Sequence, residues 1–360
     1  MKTNGNPPSR PILITGGAGF IGTNVADRLL RDGRPVIIYD NLSRAGVERN
    51  LEWLLTTHGR KVRFIEGDVA EEGRLRSVVK EAGGIYHFAA QVAVTTSLDD
   101  PLADFETNAR GTLNLLEAVR ANDISIPLLF TSTNKVYGNL KDIEPQATEL
   151  RYQLPPSSPA AAGVSEERGV SFHSPYGCSK GTADQYVLDY SRTYGLNATV
   201  FRMSCIYGPH QFGTEDQGWI AHFLLCALHG EPVTIYGDGR QVRDILFVED
   251  LVEAMLLAHR HIQRTRGLPF NIGGGPSNTV SLLELIELIH RLHGKPLELL
   301  HAPWRAADQR LYISDTRRFS ALTGWQQRTG VKEGVTALYR WLKEHRPASA
   351  AAHSEPLTAL

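Results

Sequence analysis

The chain has 360 residues, enough for about two domains of ordinary size. Its 38 Lys and Arg balance 39 Asp and Glu to a net charge of −1, which weighs against a nucleic-acid-coating protein. A hydrophobic share of 42% excludes a long acidic disordered chain. No apolar run approaches the ~18–20 residues of a membrane helix. The polar N-terminus MKTNGNPPSR lacks the apolar stretch of a secretory signal. Cys178, Cys205 and Cys226, spaced by 27 and 21, form neither a disulfide framework nor a zinc pattern, so no metal is expected. A reducing, cytoplasmic setting follows.

In chain order, residues 1–10 read as a flexible tail. Strands are expected at 11–15 (PILIT), 35–40 (PVIIYD), Val62–Glu66, 85–88, 127–132 (PLLFTS) and 198–204 (ATVFRMS). Helices alternate with them, at 24–31, 104–121 and 176–194. Continuous apolar strands alternating with helices mean an α/β fold: a Rossmann-type, doubly wound parallel sheet covered on both faces. That domain is assigned to 11–204, with 241–257 and 269–274 returning to it. A smaller, interleaved C-terminal substrate-binding lobe takes 205–240 and 275–346. It carries helices at Trp219–His229 and 281–293 and short strands at Val233–Tyr236 and 297–301. Residues 347–360, rich in Ala, Ser and Pro, read as a second flexible tail.

The first strand runs into Thr15-Gly16-Gly17-Ala18-Gly19-Phe20-Ile21-Gly22 and a helix. Gly16, Gly19 and Gly22 permit a tight turn, close approach of backbone to a pyrophosphate, and close helix–strand packing. The helix N-terminus offers free N–H groups to the phosphates. Asp40 closes the next strand, 18 residues beyond Gly22. Its carboxylate suits a ribose diol and repels a 2′-phosphate, so NAD is favoured over NADP. Arg44 nearby stands against that preference. Asp68, after the third strand, either meets the adenine edge or ends the strand. Ala89 and Ala90 are small enough for a cofactor to lie against them, while His87 reads as structural.

Tyr176 and Lys180 are spaced i, i+4, on one helix face. A phenol titrates near 10, and a neighbouring ammonium is expected to lower that value and make Tyr176 a base. Thr133 follows the fifth strand, where its hydroxyl would orient a substrate.

These residues resemble the extended short-chain dehydrogenase/reductase family over about 11–345. TGGAGFIG at 15–22, Asn108 in Asn-Ala-Arg-Gly-Thr, the Tyr176/Lys180 pair and Tyr207-Gly208-Pro209 carry the resemblance. It implies tightly held, regenerated NAD and nucleotide-sugar chemistry, with Thr133, Tyr176 and Lys180 catalytic. The cofactor set it implies begins with Gly16, Gly19, Phe20, Ile21 and Gly22. Asp40, Asn41, Ser43 and Arg44 follow, then Asp68 and Val69. Ala89, Ala90, Gln91, Asn108, Lys180 and Arg202 complete it.

Finer motifs are Asp40-Asn-Leu-Ser-Arg44, Gln91-Val-Ala-Val-Thr-Thr-Ser97, Ser132-Thr-Asn-Lys-Val-Tyr-Gly138, Asp216-Gln-Gly-Trp219 and Gln241-Val-Arg-Asp244. They are similar to the CDP-sugar 2-epimerase branch. That resemblance implies a CDP-hexose partner, with CDP-paratose and CDP-glucose both open, inversion at C2, and a homodimer or homotetramer. The family's 4,6-dehydratases carry Asp-Glu after the catalytic hydroxyl; Asn134 and Lys135 stand there here, which disfavours dehydration. Gln91, Thr95, Thr133, Asn134, Lys135, Tyr176, Gln217 and Trp219 are expected around the sugar. Arg243 and Arg305 are expected on the diphosphate. Ser204 replaces an Asn that contacts the diphosphate in many 4-epimerases, and Cys205 reads as a small buried residue. The rivals are C4 epimerisation of a UDP-hexose and a non-catalytic NAD-binding protein; the intact Tyr176/Lys180 pair weighs against the second.

Overall fold

The computed structural model describes residues 10–158, 160–305 and 308–346; the two expected tails lie, but for Arg10, outside the described residues. Seven parallel strands form the main sheet: β1 Ile12–Thr15, β2 Val36–Asp40, β3 Val62–Glu66, β4 Gly84–His87, β5 Leu128–Thr133, β6 Ala198–Met203 and β7 Pro269–Ile272. Their order is β7-β6-β5-β4-β1-β2-β3. It reverses between β1 and β4, whose carboxyl ends therefore border the crevice where such sheets bind ligands. Strands β1, β4 and β5 are buried along their whole length because helices cover both faces. On one face Val25, Leu29 and Leu30 pack with Leu251, Met255 and Ala258. On the other, Leu115, Leu116 and Val119 pack with Ala183 and Val187.

Helix α1, Phe20–Arg31, begins four residues before the predicted 24–31. It starts directly after the glycine turn, with Gly19 as its N-cap. The predicted helix at 104–121 is interrupted: a turn Pro101–Phe105 and a π-helical turn Glu106–Arg110 precede α2, Gly111–Arg120. Helix α3, Ser174–Tyr194, carries Tyr176 in its first turn.

The expected return of 241–257 to the main sheet splits in two. Helix Val248–Arg260 does pack on that sheet. Strand Val242–Phe247 instead joins a second sheet, beside Thr279–Ser281, Leu311–Tyr312 and Cys205–Tyr207. Part of the region between β5 and α3 also departs from the predicted boundary at 204. Tyr152 packs with Val242, Leu311 and Ile313, and its N–H donates to the Arg240 carbonyl at 2.9 Å. Val164 is tied in the same way to Ile313 at 2.7 Å. This segment therefore straps the second lobe to the first, an arrangement that local sequence pattern does not encode.

Candidate active site

The glycine turn is shaped by contact. At Gly16, with φ of +68°, a Cβ would lie 2.5 Å from the Ala89 nitrogen; at Gly22 it would lie 2.5 Å from the Gly16 carbonyl. Both positions need glycine for packing. Gly19 is different, since a Cβ there would meet only the Gly16 carbonyl, at 3.2 Å. Gly19 is the N-cap of α1, has no side-chain capping bond, and no acidic residue stands in the first turn. A bare helix N-terminus behind a backbone without side chains fits a pyrophosphate. Asp40 accepts from Ala18 N–H at 3.0 Å and Leu42 N–H at 2.9 Å, which ties the carboxylate to the turn. Asn41 donates to Asp68 at 2.8 Å, and Ser43 N–H donates to Asn41. Val69 is buried, while Ala89 and Ala90 are half-buried after β4.

His87 is buried between Thr15 Oγ1, at 2.6 Å, and Thr112 Oγ1, at 3.0 Å. Burial and the Lys180 charge push it down to about 3, so it stays neutral.

Thr133 ends β5 and hydrogen-bonds the Tyr176 phenol. The Tyr176 N–H donates to Ser97 Oγ at 3.2 Å, which satisfies one free donor of the first helical turn. Lys180 lies one turn on, nearly fully buried, its ammonium 4.2 Å from the centre of the Phe130 ring. The expected depression of the Tyr176 pKa is overturned among the protein's own groups. Burial pushes the phenol up to about 12, against the lowering effect of Thr133, and Asp104 pushes it further. Burial also pushes Lys180 down to about 7, opposed by Asp184 and Asp104. Desolvation outweighs the pairing because both groups sit in apolar surroundings.

Asn108 occupies the π-helical turn and joins three segments. Its Oδ1 accepts from Gln91 N–H at 2.9 Å, and its amide donates to the Gln91 carbonyl, Asp104 and Ser179. Ser179 also donates to Asp104. Asn108 thus positions the Gln91 loop and α3. Sequence reasoning missed Asp104, Ser179 and Ser97; the i, i+4 spacing of Asp104 and Asn108 was the available signal.

Two expected ligand contacts are used by the protein itself. Arg202, expected at the cofactor, forms a buried two-pronged pair with Asp184, both bonds 2.9 Å, and donates to Tyr137 OH at 3.1 Å. Ser204, expected in the substrate set, donates to the Asp244 carbonyl at 2.9 Å and to its carboxylate at 2.5 Å. Both corrections have one cause: buried carboxylates need donors, and these are the nearest.

The remaining predicted residues lie on several segments. Asn134 is buried beside Thr133. Lys135, Arg243, Asp308 and Cys205 interact electrostatically, and Trp219 hydrogen-bonds the Cys205 side chain. Burial pushes the Cys205 thiol up, which makes it a poor nucleophile. Arg243 pairs with Asp308 at 2.5 Å. Arg305 lies 3.6 Å from both Glu215 and Asp216, with its guanidinium 4.0 Å from the Tyr236 ring centre. Gln91 Oε1, Thr95 Oγ1 and Gln217 Oε1 are buried without a hydrogen-bond partner. Each of these three atoms needs a polar partner from water or a ligand.

The description "NAD dependent epimerase/dehydratase family" matches residues 12–273. The chain belongs to this family. The fold and the glycine turn agree with it, and NAD is the cofactor. CDP-paratose 2-epimerase of Salmonella typhi is 41% identical over 337 residues, covering 92% of this chain and 98% of its own. The UDP-glucose 4-epimerase of Thermus thermophilus, solved with NAD, has a TM-score of 0.77 and 30% identity, covering 92% of this chain and 99% of its own. A dTDP-glucose 4,6-dehydratase of Streptomyces venezuelae, also solved with NAD, has a TM-score of 0.80 and 26% identity, covering 93% and 98%.

Proposed function

We propose that this protein is an isomerase that inverts C2 of a CDP-hexose through a 2-keto sugar. One observation carries the mechanism. The threonine–tyrosine–lysine group is complete, yet the turn after Thr133 offers Asn134 and Lys135 and no carboxylate pair for removing water. Oxidation and reduction at one carbon are what remain. The 41% identity to a CDP-paratose 2-epimerase supports C2 and the cytidine nucleotide.

Gly16, Gly19, Gly22 and the first turn of α1 hold the pyrophosphate of NAD. Asp40 takes an adenosine ribose hydroxyl, and Lys180 the nicotinamide ribose. NAD, when bound, would supply the hydride acceptor and donor. Thr133 orients the C2 hydroxyl, and Tyr176 takes its proton as hydride leaves the same carbon. The 2-keto sugar turns between Gln91, Thr95, Asn134, Gln217 and Trp219. Tyr176 then returns the proton to the C2 oxygen once the sugar has turned. Arg243 and Arg305 hold the nucleotide while the sugar turns. Among the described residues no helix is long and apolar enough to cross a membrane; the reading places the enzyme in the cytoplasm. Leu98, Leu102 and Phe105, exposed before α2, and Tyr186, exposed on α3, support self-association through these helices.

A substrate panel tests the reading. CDP-paratose or CDP-glucose should yield the 2-epimer without added NAD, and a C2 deuterium should remain in the product. Inversion of UDP-hexose at C4, with CDP-sugars inert, would overturn it.

A further inference from the structure

Lys135 stands on the turn Asn134–Tyr137 immediately after the catalytic threonine. Its N–H donates to Thr133 Oγ1 at 3.2 Å, and the same hydroxyl meets Tyr176. Its ammonium is near Arg243, Asp308 and Cys205.

The two arginines in this region, read above as holding the nucleotide, each share their charge with a carboxylate of the protein. Arg243 gives Nη2 to Asp308 at 2.5 Å and Nη1 to the Val242 carbonyl at 2.8 Å. Arg305 faces Glu215 and Asp216. Among the described residues the Lys135 ammonium has no hydrogen-bond or ion-pair partner. Among the described residues it is a positive charge on the turn after Thr133 without a partner at ion-pair distance. Burial and the Arg243 charge both disfavour that ammonium, with Asp308 opposing them. Such an arrangement costs free energy until an anion arrives.

A sugar nucleotide brings one anion close to its sugar: the phosphate on the anomeric carbon. C2 is bonded to the anomeric carbon, so when C2 faces Tyr176 that phosphate lies beside the catalytic turn. When C4 faces Tyr176, the phosphate lies across the ring. A cation two residues from Thr133 is in reach of the phosphate in the first case and a ring's width away in the second. A lysine suits the task, because its flexible stem and rotatable donors can follow a phosphate that shifts as the sugar turns.

We infer that Lys135 is a specificity-determining residue that grips the sugar-linked phosphate and thereby sets C2, in preference to C4, against Tyr176. The inference rests on the reading proposed above. Calorimetric titration of the NAD-loaded full chain with CDP and with CMP tests it without turnover. CDP keeps the phosphate that carries the sugar, and CMP lacks it. Lys135→Gln should weaken CDP by about tenfold, a charge-assisted hydrogen bond, and leave CMP within about twofold. Lys135→Met should do the same, and Lys135→Arg should recover most of the loss. With substrate, the neutral variants should raise KM more than they lower kcat and release some C4-inverted product. Equal weakening of CDP and CMP, or unchanged CDP binding with a fall in kcat alone, would overturn the inference. Failure of the wild-type chain to bind either nucleotide would sink the CDP reading itself. NAD content and melting temperature report whether each variant is folded.

Discussion

Single residues at this site are set by desolvation first and pairing second. Lys180 is the clearest case. Burial pushes its pKa to about 7 from an ordinary value near 10.5, while Asp184 and Asp104 resist. The unfolded chain therefore holds more protons on this group between those values, and stability attributable to it rises with pH. Below pH 7 both states carry the charge and the full penalty applies; it disappears as pH approaches 10.5. Lys180→Met should abolish turnover yet stabilise the fold by on the order of 2 kcal/mol at pH 7, less at pH 9. Denaturant unfolding at the two pH values checks this, and an equal gain at both would refute it. Stability is given up here so that a charge can stand beside Tyr176.

At the scale of elements, the glycine turn divides its labour. Gly16 and Gly22 leave no room for a methyl group, because β4 and the turn itself approach them, whereas Gly19 faces little protein. Gly22→Ala should destabilise by roughly 1–3 kcal/mol through overpacking. Gly19→Ala should cost less than about 0.5 kcal/mol yet sharply reduce co-purifying NAD, since the methyl group would stand where the pyrophosphate approaches. Thermal melting and the nucleotide content of the purified variants separate the two; normal NAD content in Gly19→Ala would remove Gly19 from the cofactor site. The π-helical turn at Glu106–Arg110 works in a comparable way. One extra residue in the turn places Asn108 where it can hold the Gln91 loop and Ser179 together.

For the whole molecule, the two lobes exchange segments. The strap between β5 and α3 ties strands of the second lobe to the main sheet: Asn271 on β7 donates N–H to Glu166 at 2.7 Å and its amide to the Val164 carbonyl at 2.8 Å. Leu102 is 77% exposed and Phe105 46%, and the proposed self-association would cover them. A Leu102→Glu/Phe105→Glu variant should run as a monomer in light scattering while keeping its melting transition. Persistence of the wild-type mass would rule out this face as the contact.

The sequence by itself determined the parallel sheet, the glycine turn after β1, and the placement of Tyr176 and Lys180 on one helix. Each depends on spacing within one strand–turn–helix unit, or on apolar runs that need burial on both faces. Tertiary structure decided the rest. Arg202 reads locally as a ligand contact, but Asp184, buried across on α3, takes both of its prongs. Ser204 reads locally as a substrate contact until Asp244 is brought beside it from another strand. The Tyr176 pKa moved opposite to expectation, because the number of apolar atoms around a charge depends on packing and not on the i, i+4 interval. Strand Val242–Phe247 left the main sheet because Cys205–Tyr207 and Thr279–Ser281 offered it partners there. Local spacing sets which groups share a face; which donors meet which buried carboxylates, and how far water is kept from them, is fixed only when distant segments pack.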